Sequence, residues 1–149
     1  MNDARQLRAL LDVTNDLLFS GQANGGGVVR SGARLYLSGQ MNGRLTVEID
    51  AYVYLSGQLN GNATVSGALD ITGQLNGIPT VASSGRITFA TGSSIVRYGQ
   101  TLVVNTLGEF QPLQNDGVPY VISENTPRWL YQQDGTLKPS EKKPTNQAT

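Results

Sequence analysis

The sequence predicts an all-β fold, a short triangular parallel β-helix (β-solenoid) of about five coils, with an N-terminal capping helix and a C-terminal β-hairpin-like extension. Three observations carry this. The pentapeptide Gly-Gln-x-Asn-Gly occurs at 21–25, 39–43, 57–61 and 73–77, in steps of 18, 18 and 16 residues. Apolar residues keep the same steps. Glycine reaches 18 residues while charged residues make up only 15%, the composition of a turn-rich, repeated β-protein.

The apolar series define the sides of the coil. Leu35, Val53, Leu69 and Ile87 form one column, and Leu37, Leu55, Ile71 and Phe89 a second, with Tyr36, Tyr54, Asp70 and Thr88 between them. Period-two alternation turns the apolar members inward and the intervening ones outward. Val29, Val47, Val65 and Val81, with Leu45 and Ala63 two residues before two of them, supply another inward side. The variable position of the pentapeptide, Ala23, Met41, Leu59 and Leu75, supplies the last. Three inward segments per repeat, stacked at the ordinary inter-strand spacing of about 4.8 Å, make a triangular coil. Its glycines suit corners needing positive φ or close backbone approach.

Stacking places Gln22, Gln40, Gln58 and Gln74 in one file and Asn24, Asn42, Asn60 and Asn76 in another, so their amides can bond from coil to coil in a structural ladder. The 16-residue step comes from one corner, Ser66-Gly67-Ala68, which is two residues shorter than its counterparts. That looseness argues against a strict hexapeptide coil. After Phe89 the pattern decays, with Ile95-Val96 and Leu102-Val103-Val104 left to build an imperfect fifth coil around Gly99-Gln100.

Residues 1–19 carry Leu7, Leu10, Leu11, Thr14, Leu17 and Leu18 at spacings of three and four, behind Asp3 and Gln6. This predicts an amphipathic helix that covers the open end of the first coil. The repeats then occupy 20–106. In the C-terminal extension, 107–137, a strand is expected at Gly117–Ile122, and Trp129-Leu130-Tyr131, Asp134-Gly135 and Thr136-Leu137 predict a hairpin. Residues 138–149 have the composition of a disordered tail.

Composition narrows the chemistry. The chain of 149 residues has no histidine and no cysteine, which removes the usual near-neutral general base, thiol nucleophiles and disulfides. Eleven basic and eleven acidic side chains cancel, so no global field favours nucleic acid or an anionic membrane. No run approaches the roughly 20 apolar residues that span a bilayer, and the N-terminus lacks a secretory h-region. A cytoplasmic protein, with neither nucleic acid nor membrane as partner, is expected. The carboxylates Glu48, Asp50 and Asp70 fit solvated surface charge better than a catalytic cluster. No catalytic residue, metal site or cofactor is expected. The repeated glycines fall at corners instead of a strand-to-helix phosphate loop.

The surface feature that remains is aromatic. Tyr36 and Tyr54 stack on adjacent coils beside Arg34 and Tyr52, and Trp129 and Tyr131 lie in the extension. All six are candidates for protein contact.

The pattern Gly39-Gln40-Met41-Asn42-Gly43 and Gly57-Gln58-Leu59-Asn60-Gly61, on a coil of 16–18 residues, resembles the bactofilins, bacterial polymer-forming cytoskeletal proteins with a compact right-handed triangular β-helix. The likeness covers roughly residues 20–105. It implies nucleotide-independent end-to-end assembly through apolar terminal coils. The segments before and after the repeats depart from that family and lie where its end faces would be. Two non-enzymatic readings follow: a structural scaffold that self-assembles or supports a larger assembly, or a capped rigid protein-binding module. An inhibitor, an immunity-type protein, or a component of a phage or secretion particle would belong to the second kind.

Overall fold

Three sheets wind the chain into five three-sided coils and two sides of a sixth. The computed structural model describes residues 2–3, 6–97, 99–105, 107, 109–112 and 128–139. The first sheet is built from Asn2–Asp3, Leu17–Phe19, Arg34–Leu37, Tyr52–Leu55, Ala68–Ile71 and Arg86–Ala90. The second takes Gln6–Leu7, Gln22–Ala23, Gln40–Asn42, Gln58–Asn60, Gln74–Leu75 and Ser94–Arg97, and the third takes Leu11–Val13, Gly27–Val29, Leu45–Val47, Ala63–Val65 and Pro79–Val81. Every pairing among these strands is parallel. Val47 sits against Val65, and Leu55 against Ile71.

The alternation read from the repeats places the core. Leu35, Leu37, Met41, Leu45, Leu55 and Leu59 are fully buried, each contributing roughly 1.5–3 kcal/mol of transfer free energy. A strand of three residues has little stability alone. Here it gains two neighbours in the stack and an interior side chain on every coil.

The corners explain the pentapeptide. The carbonyl of Leu37 accepts N–H bonds from both Ser56 and Gly57, at 3.0 Å each, and that of Leu55 accepts from Thr72 and Gly73 at 2.8 and 3.0 Å. Two successive donors on one acceptor bend the chain sharply. A Cβ built on Gly57 would stand 2.0 Å from the Gly39 carbonyl oxygen, so close approach of stacked backbones, and not φ, demands glycine there.

Three expectations are corrected. The described part of residues 1–19 holds no capping helix; its strands form the first coil and the opening strand of the second, Leu17–Phe19. Leu11, Val13 and Phe19 are buried, while Leu10 and Leu18, which the helix needed on its apolar face, are 54% and 49% exposed. A stacked coil gives this segment backbone partners along its length, which outweighs weak helical periodicity. The solenoid therefore starts well before residue 20.

Leu102–Val104 does not complete a coil. After Ser94–Arg97 the chain turns near Gly99, whose φ is +74°, and Gln100–Val104 returns antiparallel to it, followed by antiparallel Phe110–Pro112. Ile95 still fills the Leu75 column. The third departure concerns Lys138 and Pro139, placed by sequence in the tail. They belong to strand Leu137–Pro139. The remainder of that tail, 140–149, and the strand expected at Gly117–Ile122 lie outside the described residues.

The hairpin is present as read. Arg128–Tyr131 pairs antiparallel with Leu137–Pro139 and adds to the first sheet beside Arg86–Ala90. Its turn carries Gly135 at φ +89°. The Asp134 carboxylate accepts from the Thr136 N–H at 3.0 Å and its hydroxyl at 2.6 Å, which holds the Asp134 carboxyl below the usual carboxylate range. Phe110 meets Phe89 edge-on, with ring centroids 5.3 Å apart, and Tyr131 lies 5.8 Å from Phe89. These rings seal the C-terminal end of the core.

Candidate interaction face

The outer surface of the first sheet gathers most of the singled-out residues. Register places Tyr52 between Arg34 and Ala68, and sets Leu18, Tyr36, Tyr54, Asp70 and Thr88 in one outward file. The file exists because each strand alternates and each coil repeats, so one side chain per coil reaches the same stripe.

Within it the aromatic rings touch. Tyr36 lies 6.2 Å from Tyr52 at 63° and 6.5 Å from Tyr54 at 50°. Each tyrosine is half-buried by its neighbours, whereas Arg34 and Leu18 stand exposed at one rim. Burial, aided by the nearby Asp70 carboxylate, pushes the Tyr52 phenol up to about 12. Its hydroxyl therefore remains a neutral donor at physiological pH.

Beyond Tyr54 the file becomes polar and covered. Asp70 accepts from the Thr88 hydroxyl at 3.0 Å and from the Arg128 Nε at 3.1 Å. The hairpin continues the sheet beside Arg86–Ala90, and the Arg128 side chain reaches back to Asp70, so two positions that alternation assigns to solvent are covered: Thr88 is buried, and the Asp70 and Arg128 side chains are about four-fifths buried. Sequence reasoning missed this pair. The only hint was an isolated arginine opening the predicted hairpin.

Trp129 and Tyr131 point the other way. Trp129 is opposite Phe89 in register, and its indole N–H donates to Thr91 at 2.9 Å. Tyr131 is buried against the core. Both belong to the seal at the C-terminal end and are set apart from the tyrosine file.

The second sheet carries the amide ladders. Gln22 donates to Gln40, Gln40 to Gln58 and Gln58 to Gln74, at 3.1, 3.4 and 3.0 Å. In the parallel file the direction reverses: Asn42 donates to Asn24, Asn60 to Asn42 and Asn76 to Asn60, at 2.7, 2.8 and 2.6 Å. The asparagine file ends at Asn76, whose Oδ1 is buried without a partner among the described residues. Corner charges stack too, as Arg30 bridges Asp12 at 2.9 Å below and Glu48 at 3.3 Å above, lowering the Asp12 carboxyl chiefly through the hydrogen bond from Arg30.

Among the described residues no group of three or more acidic side chains is placed to hold a metal ion, and no described helix is long and apolar enough to cross a membrane. Asp50 occupies a corner at φ +63°, Glu48 is tied to Arg30, and Asp70 is tied to Arg128. Comparison of the chain with protein-family models, curated proteins and solved structures finds no match.

Proposed function

We propose that the chain is a non-enzymatic scaffold, a rigid β-solenoid that supports a larger assembly by presenting the outer face of its first sheet to a partner protein. The observation that carries this reading is the tyrosine cluster: Tyr36 contacts both Tyr52 and Tyr54, and exposed Leu18 continues the file. Half-buried aromatics held by neighbouring coils lose little side-chain freedom on binding, which favours them as interface anchors. The carboxylates once considered for chemistry are engaged in ion pairs or spent on corners, consistent with a non-catalytic role. To test it, wild type and a Leu18→Asp, Tyr36→Asp double variant are immobilised and compared for partners retained from the source cell. A partner captured by wild type should be lost from the variant, and equal retention by both overturns the reading.

A second reading, self-assembly of the kind the bactofilin resemblance implies, is favoured by a different observation. Leu11–Val13 is an edge strand among the described residues, bonded to Gly27–Val29 on one side, and such edges template further strands. Sedimentation separates the two. Concentration-dependent growth that persists in the Leu18→Asp, Tyr36→Asp variant supports edge assembly, and a sharp monomer supports the presenting face.

A further inference from the structure

The stacked corners build four Asn-Gly pairs into the chain: Asn24-Gly25, Asn42-Gly43, Asn60-Gly61 and Asn76-Gly77. Packing demands these glycines. A Cβ on Gly61 or Gly77 would lie 2.1 Å from the carbonyl oxygen of the corresponding glycine one coil earlier, and one on Gly25 would lie 2.6 Å from the Ala9 carbonyl carbon. Asparagine followed by glycine is also the pair most prone to lose its side-chain amide, because without a Cβ the glycine nitrogen closes readily onto the asparagine Cγ. The fold therefore repeats a reactive pair on successive coils, and the asparagine file treats its members unequally.

We infer that Asn24 is a site of spontaneous deamidation, selected by the direction of the file. Donation runs toward it: the Nδ2 of Asn76 donates to Asn60, that of Asn60 to Asn42 and that of Asn42 to Asn24, at 2.6, 2.8 and 2.7 Å. Three amide nitrogens are thus held by an acceptor. Asn24 only accepts, and its own Nδ2 meets no acceptor among the described residues. It is also exposed and sits in a turn, while the other three are half-buried, Asn42 and Asn60 as the last residues of their strands. The Gly43 N–H is engaged with the Asn60 carbonyl at 3.0 Å, and the Asn76 Oδ1 is buried away from water.

In the reaction the Gly25 nitrogen gives its proton to water and attacks the Asn24 Cγ. A new C–N bond forms, the Cγ–Nδ2 bond breaks, and ammonia leaves a cyclic imide. Water then opens the ring at either carbonyl, giving aspartate or isoaspartate, so the net exchange is amide and water for carboxylate and ammonia. The carboxylate left at position 24 by the first route keeps the bond from Asn42, now charge-assisted, and adds one negative charge to a chain with eleven of each sign. At Asn42 or Asn60 the same exchange would turn a donor into an acceptor that faces another acceptor.

To test it, the purified full chain is incubated in mildly alkaline buffer, with a parallel sample unfolded in urea, and tryptic peptides are followed by mass spectrometry. Cleavage at arginine separates the sites: Asn24 falls in 9–30, Asn42 in 35–44, and Asn60 and Asn76 in 45–86. Fragment ions place each mass gain, and isoaspartyl methyltransferase labelling reports the isomerised product. In the folded chain Asn24 should deamidate about tenfold faster than each of the other three, the factor that one held hydrogen bond supplies. In urea the four should react at similar rates. Asn60→Ala removes the acceptor of the Asn76 amide and should raise the rate at Asn76 while leaving that at Asn24 as it was. Circular dichroism confirms that this variant folds, and the wild-type comparison stands without it. Equal rates at all four sites in the folded chain, a faster reaction at another of them, or an intact Asn24 where the urea sample is modified overturns the inference. An Asn76 rate unmoved by Asn60→Ala in the folded variant overturns it too, because the file would then not be what selects the site.

Discussion

Asp70 and Arg128 are 58 residues apart in the chain, and the Arg128 Nε donates to Oδ1 of Asp70 at 3.1 Å and to Oδ2 at 3.4 Å. This pair ties the C-terminal hairpin, which extends the first sheet beside Arg86–Ala90, back to the coil two strands away. Because both side chains are about four-fifths buried, removing one leaves the other desolvated. Asp70→Asn and Arg128→Ala should each cost about 1–3 kcal/mol, with a double variant less destabilised than the sum. Hydrogen exchange checks the location: protection should fall in 128–139 and persist in 34–65.

Glycine at the corners should prove intolerant for two separable reasons. Gly57→Ala sets a methyl 2.0 Å from the Gly39 carbonyl and should cost about 3 kcal/mol or more. Gly32→Ala meets no atom within 4 Å but sits at φ +82°, so its cost should be about 1–2 kcal/mol. Asp50 offers the converse at φ +63°, and Asp50→Gly should be neutral or mildly stabilising. Urea denaturation of the three variants gives the order.

Asn60→Ala cuts the asparagine file at both sides, removing the bond it donates to Asn42 and the one it accepts from Asn76. A loss of about 1–3 kcal/mol is expected. Asn24→Ala, at one end of the file, removes a single bond and should cost less. Equal costs would show that the second bond of Asn60 contributes nothing to stability.

Tyr52 predicts an alkaline limit. Its folded pKa lies at about 12, above the ordinary 10, so the folded state keeps a proton that the unfolded state releases between those values. The stabilising effect is complete below pH 10 and is lost as pH rises through 12. Ultraviolet titration should show a tyrosine component ionising late, and Tyr52→Phe should remove that component along with its share of the alkaline loss of stability.

The repeats were legible because one residue pattern states both face and step: Leu55 and Leu59 could be placed inside, and Tyr54 outside, from alternation alone. The first coil was harder. Leu17-Leu18-Phe19 matches Leu35-Tyr36-Leu37 at 18 residues, and Gln6-Leu7 matches Gln22-Ala23 at 16, yet the segment lacks both glycines and the asparagine of the pentapeptide and its leucines also fit a helical stripe. Short apolar runs leave strand and helix undecided until a neighbour supplies hydrogen bonds. The tyrosine cluster was visible for the reason the core was. The Asp70–Arg128 tie was not, because it depends on where a returning hairpin lands, and no local periodicity records that.

The opposed directions of the two side-chain files have an electrical consequence. Glutamine dipoles point one way along the long axis and asparagine dipoles the other, so their fields largely cancel, unlike the aligned peptide units of a helix, which accumulate end charge with length. A rod built this way gains no growing polarity from each added turn, which leaves the number of turns free to vary by duplication without charging its tips.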